Sequence, residues 1–116
     1  MRDRLFRTVS VEIEAVAQEL TSKNAAKLLR GADVVIDAFD NSASRKLVQD
    51  QVRDNNTACL HVGLFADYCE VLWDEQYDVP KDVMGDVFDY PLARNIVMLA
   101  VTIASEELVH LSLIHI

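Results

Sequence analysis

From Val9 the chain alternates, with Val9, Val11, Ile13 and Ala15 on one side and Ser10, Glu12 and Glu14 on the other. A period of two predicts a half-exposed strand through Ala15. Thr21-Ser22 then offers an N-cap, and Ala25, Ala26, Leu28 and Leu29 follow at helical spacing. Gly31 stands where a left-handed C′ residue belongs, so a short helix is predicted over about Ser22–Arg30. Asp33–Phe39 is largely apolar and carries β-branched Val34, Val35 and Ile36, the pattern of a central parallel strand. Asn41 or Ser42 can cap the next helix, which runs to about Asn55 with Ala43, Leu47, Val48 and Val52 in one stripe.

Asp54-Asn55-Asn56 reads as a turn, Ala58–Leu64 as an apolar strand interrupted at Gly63, and Tyr68–Asp74 as a weakly alternating strand. Glu75–Tyr90 is acidic and loop-like, with Pro80 and Gly85. Pro91 suits a first helical position, and Leu92–Val109 is apolar over much of its surface, as in a helix buried against several neighbours. Strand–helix–strand–helix–strand order predicts right-handed βαβ units, hence an α/β fold with a mostly parallel sheet flanked by helices.

Composition narrows the partners. Nineteen acidic residues against eleven basic give a net charge of −8, which opposes a nucleic-acid or anionic-membrane surface. The longest mostly apolar run, Ile96–Ala104, is about half of the ~20 residues that span a bilayer. The N-terminal Met-Arg-Asp-Arg-Leu-Phe-Arg has no apolar core of a signal peptide, and the expected location is cytoplasmic. Cys59 and Cys69 are the only cysteines, without a C-x-x-C, so neither a disulfide framework nor a structural zinc site is expected. Cys59 and His61 share a strand face and read as core packing. Cys69 stands beside Glu70 and near Asp67, unlike the electropositive setting of a reactive thiol.

Candidate chemistry falls at Asp40-Asn41, just past the end of the second strand. Doubly wound sheets bind ligands beyond the carboxyl ends of their strands, and a carboxylate there can hold Mg²⁺ that bridges substrate phosphates. Helix capping by either residue is the competing role.

The ordered residues Asp33-Val34-Val35-Ile36-Asp37-Ala38-Phe39-Asp40-Asn41, followed by Arg45, resemble the D-x-V-x-D-x-x-D-N-x-x-x-R pattern of the ThiF/HesA/MoeB family. These are ATP-dependent adenylyltransferases related to ubiquitin-activating enzymes. Glu19–Ala26, Cys59–Gly63 and Asp89–Asn95 are similar to flanking family segments, so the resemblance covers about Val9–Val109. It implies that Asp40 binds Mg²⁺–ATP, that Asn41 accompanies it at the nucleotide site, and that Arg45 anchors the structure. Asp37 matches a family acid of unassigned role. The implied fold is a partial Rossmann-like domain.

Departures from the family set the limits of that expectation. The only glycines are Gly31, Gly63 and Gly85, so the N-terminal strand and G-x-G-x-x-G loop that accommodate phosphates are lacking. Arg2, Arg4 and Arg7 do not fit the family's phosphate ligands by spacing, Phe39 stands where Thr or Ser is common, and Glu75–Tyr90 has no crossover cysteine. Residues 1–110 are therefore read as the C-terminal portion of an adenylation domain. The last six residues, 111–116, break the helical pattern and match the in-frame translation of a sequencing-adaptor end, suggesting an artefact; a C-terminal strand is the alternative.

The resemblance implies a parent enzyme, likewise homodimeric, that activates the carboxylate of a small ubiquitin-like or sulfur-carrier protein as an acyl-adenylate, with this portion inactive alone. A non-catalytic α/β module that binds a partner or dimerises is the alternative, and a fragment of a dinucleotide-dependent oxidoreductase a third.

Overall fold

A computed structural model of the chain describes residues 12–65, 68–81 and 94–114. Helix α1 covers Ala25–Leu28, strand β1 Val34–Asp37, helix α2 Ser42–Asn55, strand β2 Ala58–Phe65, strand β3 Tyr68–Trp73 and helix α3 Arg94–Ile114, with a 3₁₀ turn at Asp74–Gln76 after β3. The three strands form one sheet in the order β1-β2-β3. β1 and β2 are parallel, with Asp37 opposite His61; β2 and β3 are antiparallel, with Leu60 opposite Trp73. The result is a partial Rossmann-like α/β fold whose sheet is mixed, because the short Phe65–Tyr68 connection allows only a reversal of direction.

The sheet lies between two helices. Val35 on β1 and Cys59 on β2 face α2, where Val48 and Val52 complete a buried cluster that Leu20 and Leu29 flank. Leu60 points to the other face and is fully buried. Trp73 shares that face and donates from Nε1 to Glu107 Oε2 of α3 at 3.0 Å.

Several expectations change. Residues 12–20 are irregular, so alternation alone makes no strand there; Val9–Val11 lie outside the described residues. The N-cap of α1 is Asn24 instead of Thr21-Ser22, and the turn before it is shared by Thr21 and Asn24: Thr21 Oγ1 accepts from Lys23 N, Asn24 Oδ1 accepts from Thr21 N, and Asn24 Nδ2 donates to Glu19 O. Gly31 does take a left-handed φ of 77°. β2 runs unbroken through Gly63. β1 has one exposed face, with Ile36 at 48%. α3 buries Ala100 and Ala104 yet leaves Met98, Leu99, Val101, Ile103 and Val109 exposed, so its apolar surface exceeds what β2 and β3 can cover. Residues 111–114 continue this helix, which removes both the predicted break and the C-terminal strand. Pro91 and most of the Glu75–Tyr90 loop lie outside the described residues.

Candidate functional site

The β1–α2 corner separates four polar residues into two environments. Asp37 occupies an inward position on β1, since it shares the face of Val35, and only 1% of it is exposed. A buried carboxylate must be paired, and this one is: Oδ2 lies 2.6 Å from His61 Nδ1 and 3.4 Å from Arg45 NH1, while Oδ1 accepts from Phe39 N at 3.0 Å. That last bond fixes the turn leading to Asp40.

Asp40 itself is exposed. Its Oδ1 lies 3.4 Å from Asn41 Nδ2. Asn41, in extended conformation, is the N-cap of α2, its Oδ1 accepting from Ser44 N at 2.8 Å. Arg45, one turn further, points into the interior, where its NH2 donates to Val62 O at 2.7 Å and its NH1 to the Tyr77 hydroxyl at 3.1 Å. Asp40 and Asn41 therefore stand together at the corner, whereas Arg45 joins Asp37 beneath it.

A larger polar cluster extends from Arg45. His61 is fully buried, with Nδ1 on Asp37 and Nε2 2.9 Å from Asp74 Oδ1, and its ring stacks on Tyr77 at 3.9 Å. Gln49 Nε2 donates to Asp74 Oδ1 and to Tyr77 O, and Arg53 Nε donates to Asp74 Oδ2 at 2.9 Å. Ser42 Oγ donates to Pro80 O. The segment Asp74–Pro80 thus runs back along α2, tied successively to Arg53, Gln49, Arg45 and Ser42. Among the described residues no buried side-chain nitrogen or oxygen lacks a partner.

The electrostatics follow from these contacts. Burial would raise Asp74, but hydrogen bonds from Arg53, His61 and Gln49 outweigh it and hold the carboxyl below its usual range. Burial pushes the Tyr77 hydroxyl up, against the opposing charge and hydrogen bond of Arg45. Burial, with Asp37 next, pushes the Cys59 thiol up to about 12, leaving it an inert core group.

Sequence reasoning placed Cys59 and His61 in the interior correctly, but the His61 ring lies between two carboxylates instead of among apolar side chains alone. It also passed over Gln49, Arg53, Asp74 and Tyr77. The signal was present: Ser42, Arg45, Gln49 and Arg53 recur at intervals of three, four and four, a polar stripe beside the apolar one.

Among the described residues no group of three or more His, Cys, Asp or Glu could hold a metal ion. A metal at this corner would have the Asp40 carboxylate as its protein ligand. That fits Mg²⁺, which commonly takes one or two carboxylates and fills its shell with water and phosphate oxygens.

A parallel strand–helix–strand unit, an antiparallel third strand and a helix on each face define an α/β protein of partial Rossmann-like form. The chain belongs to the ThiF family, whose model matches residues 6–78. The matched span contains the corner and the cluster through Tyr77, and ends before α3 and the Asp89–Asn95 segment. No curated protein and no solved structure matched the chain. Among the described residues, no helix is long and apolar enough to cross a membrane.

Proposed function

We propose that the Asp40 corner belongs to an ATP-dependent adenylyltransferase that activates the C-terminal carboxylate of a small ubiquitin-like or sulfur-carrier protein as an acyl-adenylate. The supporting observation is the division of labour at the corner. Asp37 and Arg45 bond inside the protein and Asn41 caps α2, while Asp40 remains exposed beyond a parallel strand, beside a helix N-terminus.

In this reading Asp40 holds Mg²⁺, which when bound neutralises charge on the phosphates of ATP as pyrophosphate leaves. Asn41 orients the turn that carries Asp40, and Arg45 with Asp37 keeps β1 and α2 in fixed relation beneath it. The phosphate-cradling glycine loop is not among these 116 residues, so residues 1–110 supply one part of the adenylation site and have no turnover alone. A homodimeric, cytoplasmic enzyme is part of the same proposal, and the two free thiols suit a reducing compartment.

The test uses Mn²⁺ as a paramagnetic stand-in with ATP. Amide signals at Asp40 and Asn41 should broaden in the wild-type chain and stay sharp in Asp40→Ala; equal broadening in both would overturn the metal role. ATP–pyrophosphate exchange by the isolated chain would overturn the claim that it is inactive alone.

A second reading, a non-catalytic module that dimerises or binds a partner, is favoured by the exposed apolar residues of α3, with Val109 60% and Met98 55% accessible. Size-exclusion chromatography combined with the ATP titration separates the two readings: self-association without nucleotide binding supports the module.

A further inference from the structure

The most unusual group in the molecule is His61, which no step at the Asp40 corner uses. Both of its ring nitrogens face carboxylate oxygens, Nδ1 toward Asp37 on β1 and Nε2 toward Asp74 on the 3₁₀ turn. An ionised carboxylate only accepts, and a neutral imidazole carries one N–H. Two protons must therefore be shared among these three groups for both contacts to be hydrogen bonds. With one proton, a ring lone pair faces a carboxylate at 2.6 or 2.9 Å.

The other partners of the two acids bear on how the contacts are shared. Asp37 also receives Arg45, and Asp74 receives Arg53 and Gln49. Each acid thus also accepts from a guanidinium, Asp37 from Arg45 and Asp74 from Arg53, so both acids act as acceptors in this cluster and the ring is the donor on both sides. Of the remaining groups near His61, Tyr77 stacks on the ring, Cys59 lies two residues away on β2, and Glu70 of β3 acts on Tyr77 through charge. Glu107 of α3 is engaged with Trp73 on the opposite face. Loss of the ring proton leaves two acids and two guanidinium groups still matched, so the proton can depart without stranding a buried charge.

We propose that doubly protonated His61 is a pH-sensitive latch holding the strap Asp74–Pro80 along α2. The latch joins β1 to the strap through one side chain. When the ring loses a proton, one of its two bonds becomes a repulsion. The ring contact with Asp37 is the shorter, 2.6 Å against 2.9 Å, and Asp37 is the more buried acid, so the Asp74 side yields. The far end of the strap rests on Ser42, two residues from Asp40, so loosening it changes access to that corner. The latch stands independently of what binds at Asp40.

The experiment follows the ring nitrogens of His61 by long-range ¹H–¹⁵N NMR across pH. Amide hydrogen exchange over Asp74–Tyr77 is measured on the same wild-type chain and corrected for intrinsic exchange. Two protonated ring nitrogens are expected at lower pH, and where one proton leaves, protection of the Tyr77 amide should fall roughly tenfold to a hundredfold, the worth of one charged hydrogen bond. His61→Gln, which cannot donate to both carboxylates, should show fast exchange with no step over that range. If that variant fails to fold, the wild-type series decides alone. Protection that is unchanged through ring deprotonation overturns the proposal, as does a ring with a single proton while the strap remains protected.

Discussion

Asp37 and His61 sit directly opposite each other in the β1–β2 register and meet through Oδ2 and Nδ1 at 2.6 Å, both almost wholly buried. The pair stitches together the strands that carry the corner. Removing one partner strands Arg45 or Asp74 contacts as well as the pair itself, so Asp37→Ala should destabilise the fold by about 3–5 kcal/mol. Urea denaturation followed by circular dichroism would measure this; a loss below about 1 kcal/mol would show that the pair carries little of the stability.

Asp74 makes the acid limb of stability steep. Its carboxyl is held below the usual range, burial being outweighed by Arg53, His61 and Gln49. In the window between its folded value and the unfolded value of 3.8, the native state binds fewer protons than the unfolded one, so stability rises with pH there. The contribution is complete above that window and disappears as pH falls through the folded value. Urea midpoints taken from pH 5 downward should fall less steeply in Asp74→Asn than in wild type.

Adjacent residues at the corner should respond oppositely to truncation. Asn41→Ala removes the cap on Ser44 N and is expected to cost about 1 kcal/mol. Asp40→Ala, at an exposed position, should stay within about 0.5 kcal/mol of wild type. Parallel thermal melts of the two variants check this directly; a large loss in Asp40→Ala would mean that its carboxylate is structural.

Two glycines separate conformation from space. A Cβ on Gly31 meets nothing within 4 Å, yet its φ of 77° is left-handed, so Gly31→Ala should destabilise by about 1 kcal/mol. A Cβ on Gly63 would meet Arg45 NH2 at 3.5 Å, ordinary contact on an extended backbone, so Gly63→Ala should be neutral or stabilising by up to about 1 kcal/mol. Denaturation midpoints that move in the reverse order would contradict both assignments.

Local patterns were legible where one element supplies its own signal. The run Val34–Ile36, the cap at Asn41 and the amphipathic span to Asn55 lie in short windows of sequence and mark β1 and α2, as the runs Ala58–Leu64 and Tyr68–Asp74 mark β2 and β3. The strap was not legible, because its bonds join residues 21 to 38 positions apart, such as Arg53 with Asp74 and Ser42 with Pro80. Polar residues on the inner face of α2 look like solvated positions until a second segment is known to lie over them. The Val9–Ala15 alternation misled because a strand needs a hydrogen-bonded neighbour, and residues 12–15 have none within the described sheet. The length of α3 was readable in part, but the extent of its cover depends on neighbours that periodicity does not encode.

The uncovered apolar side of α3 gives the chain a colloidal character that depends on pH. Around neutrality the net charge of −8 keeps copies apart, so the exposed Met98, Val101 and Val109 seldom meet their counterparts. As acid titrates the excess carboxylates, the charge passes through zero and the mutual repulsion vanishes while the apolar side is unchanged. Acidification should then bring clouding, high salt near neutrality should promote the same association by screening the charge, and dilution should reverse both, setting the working range for handling this protein in solution.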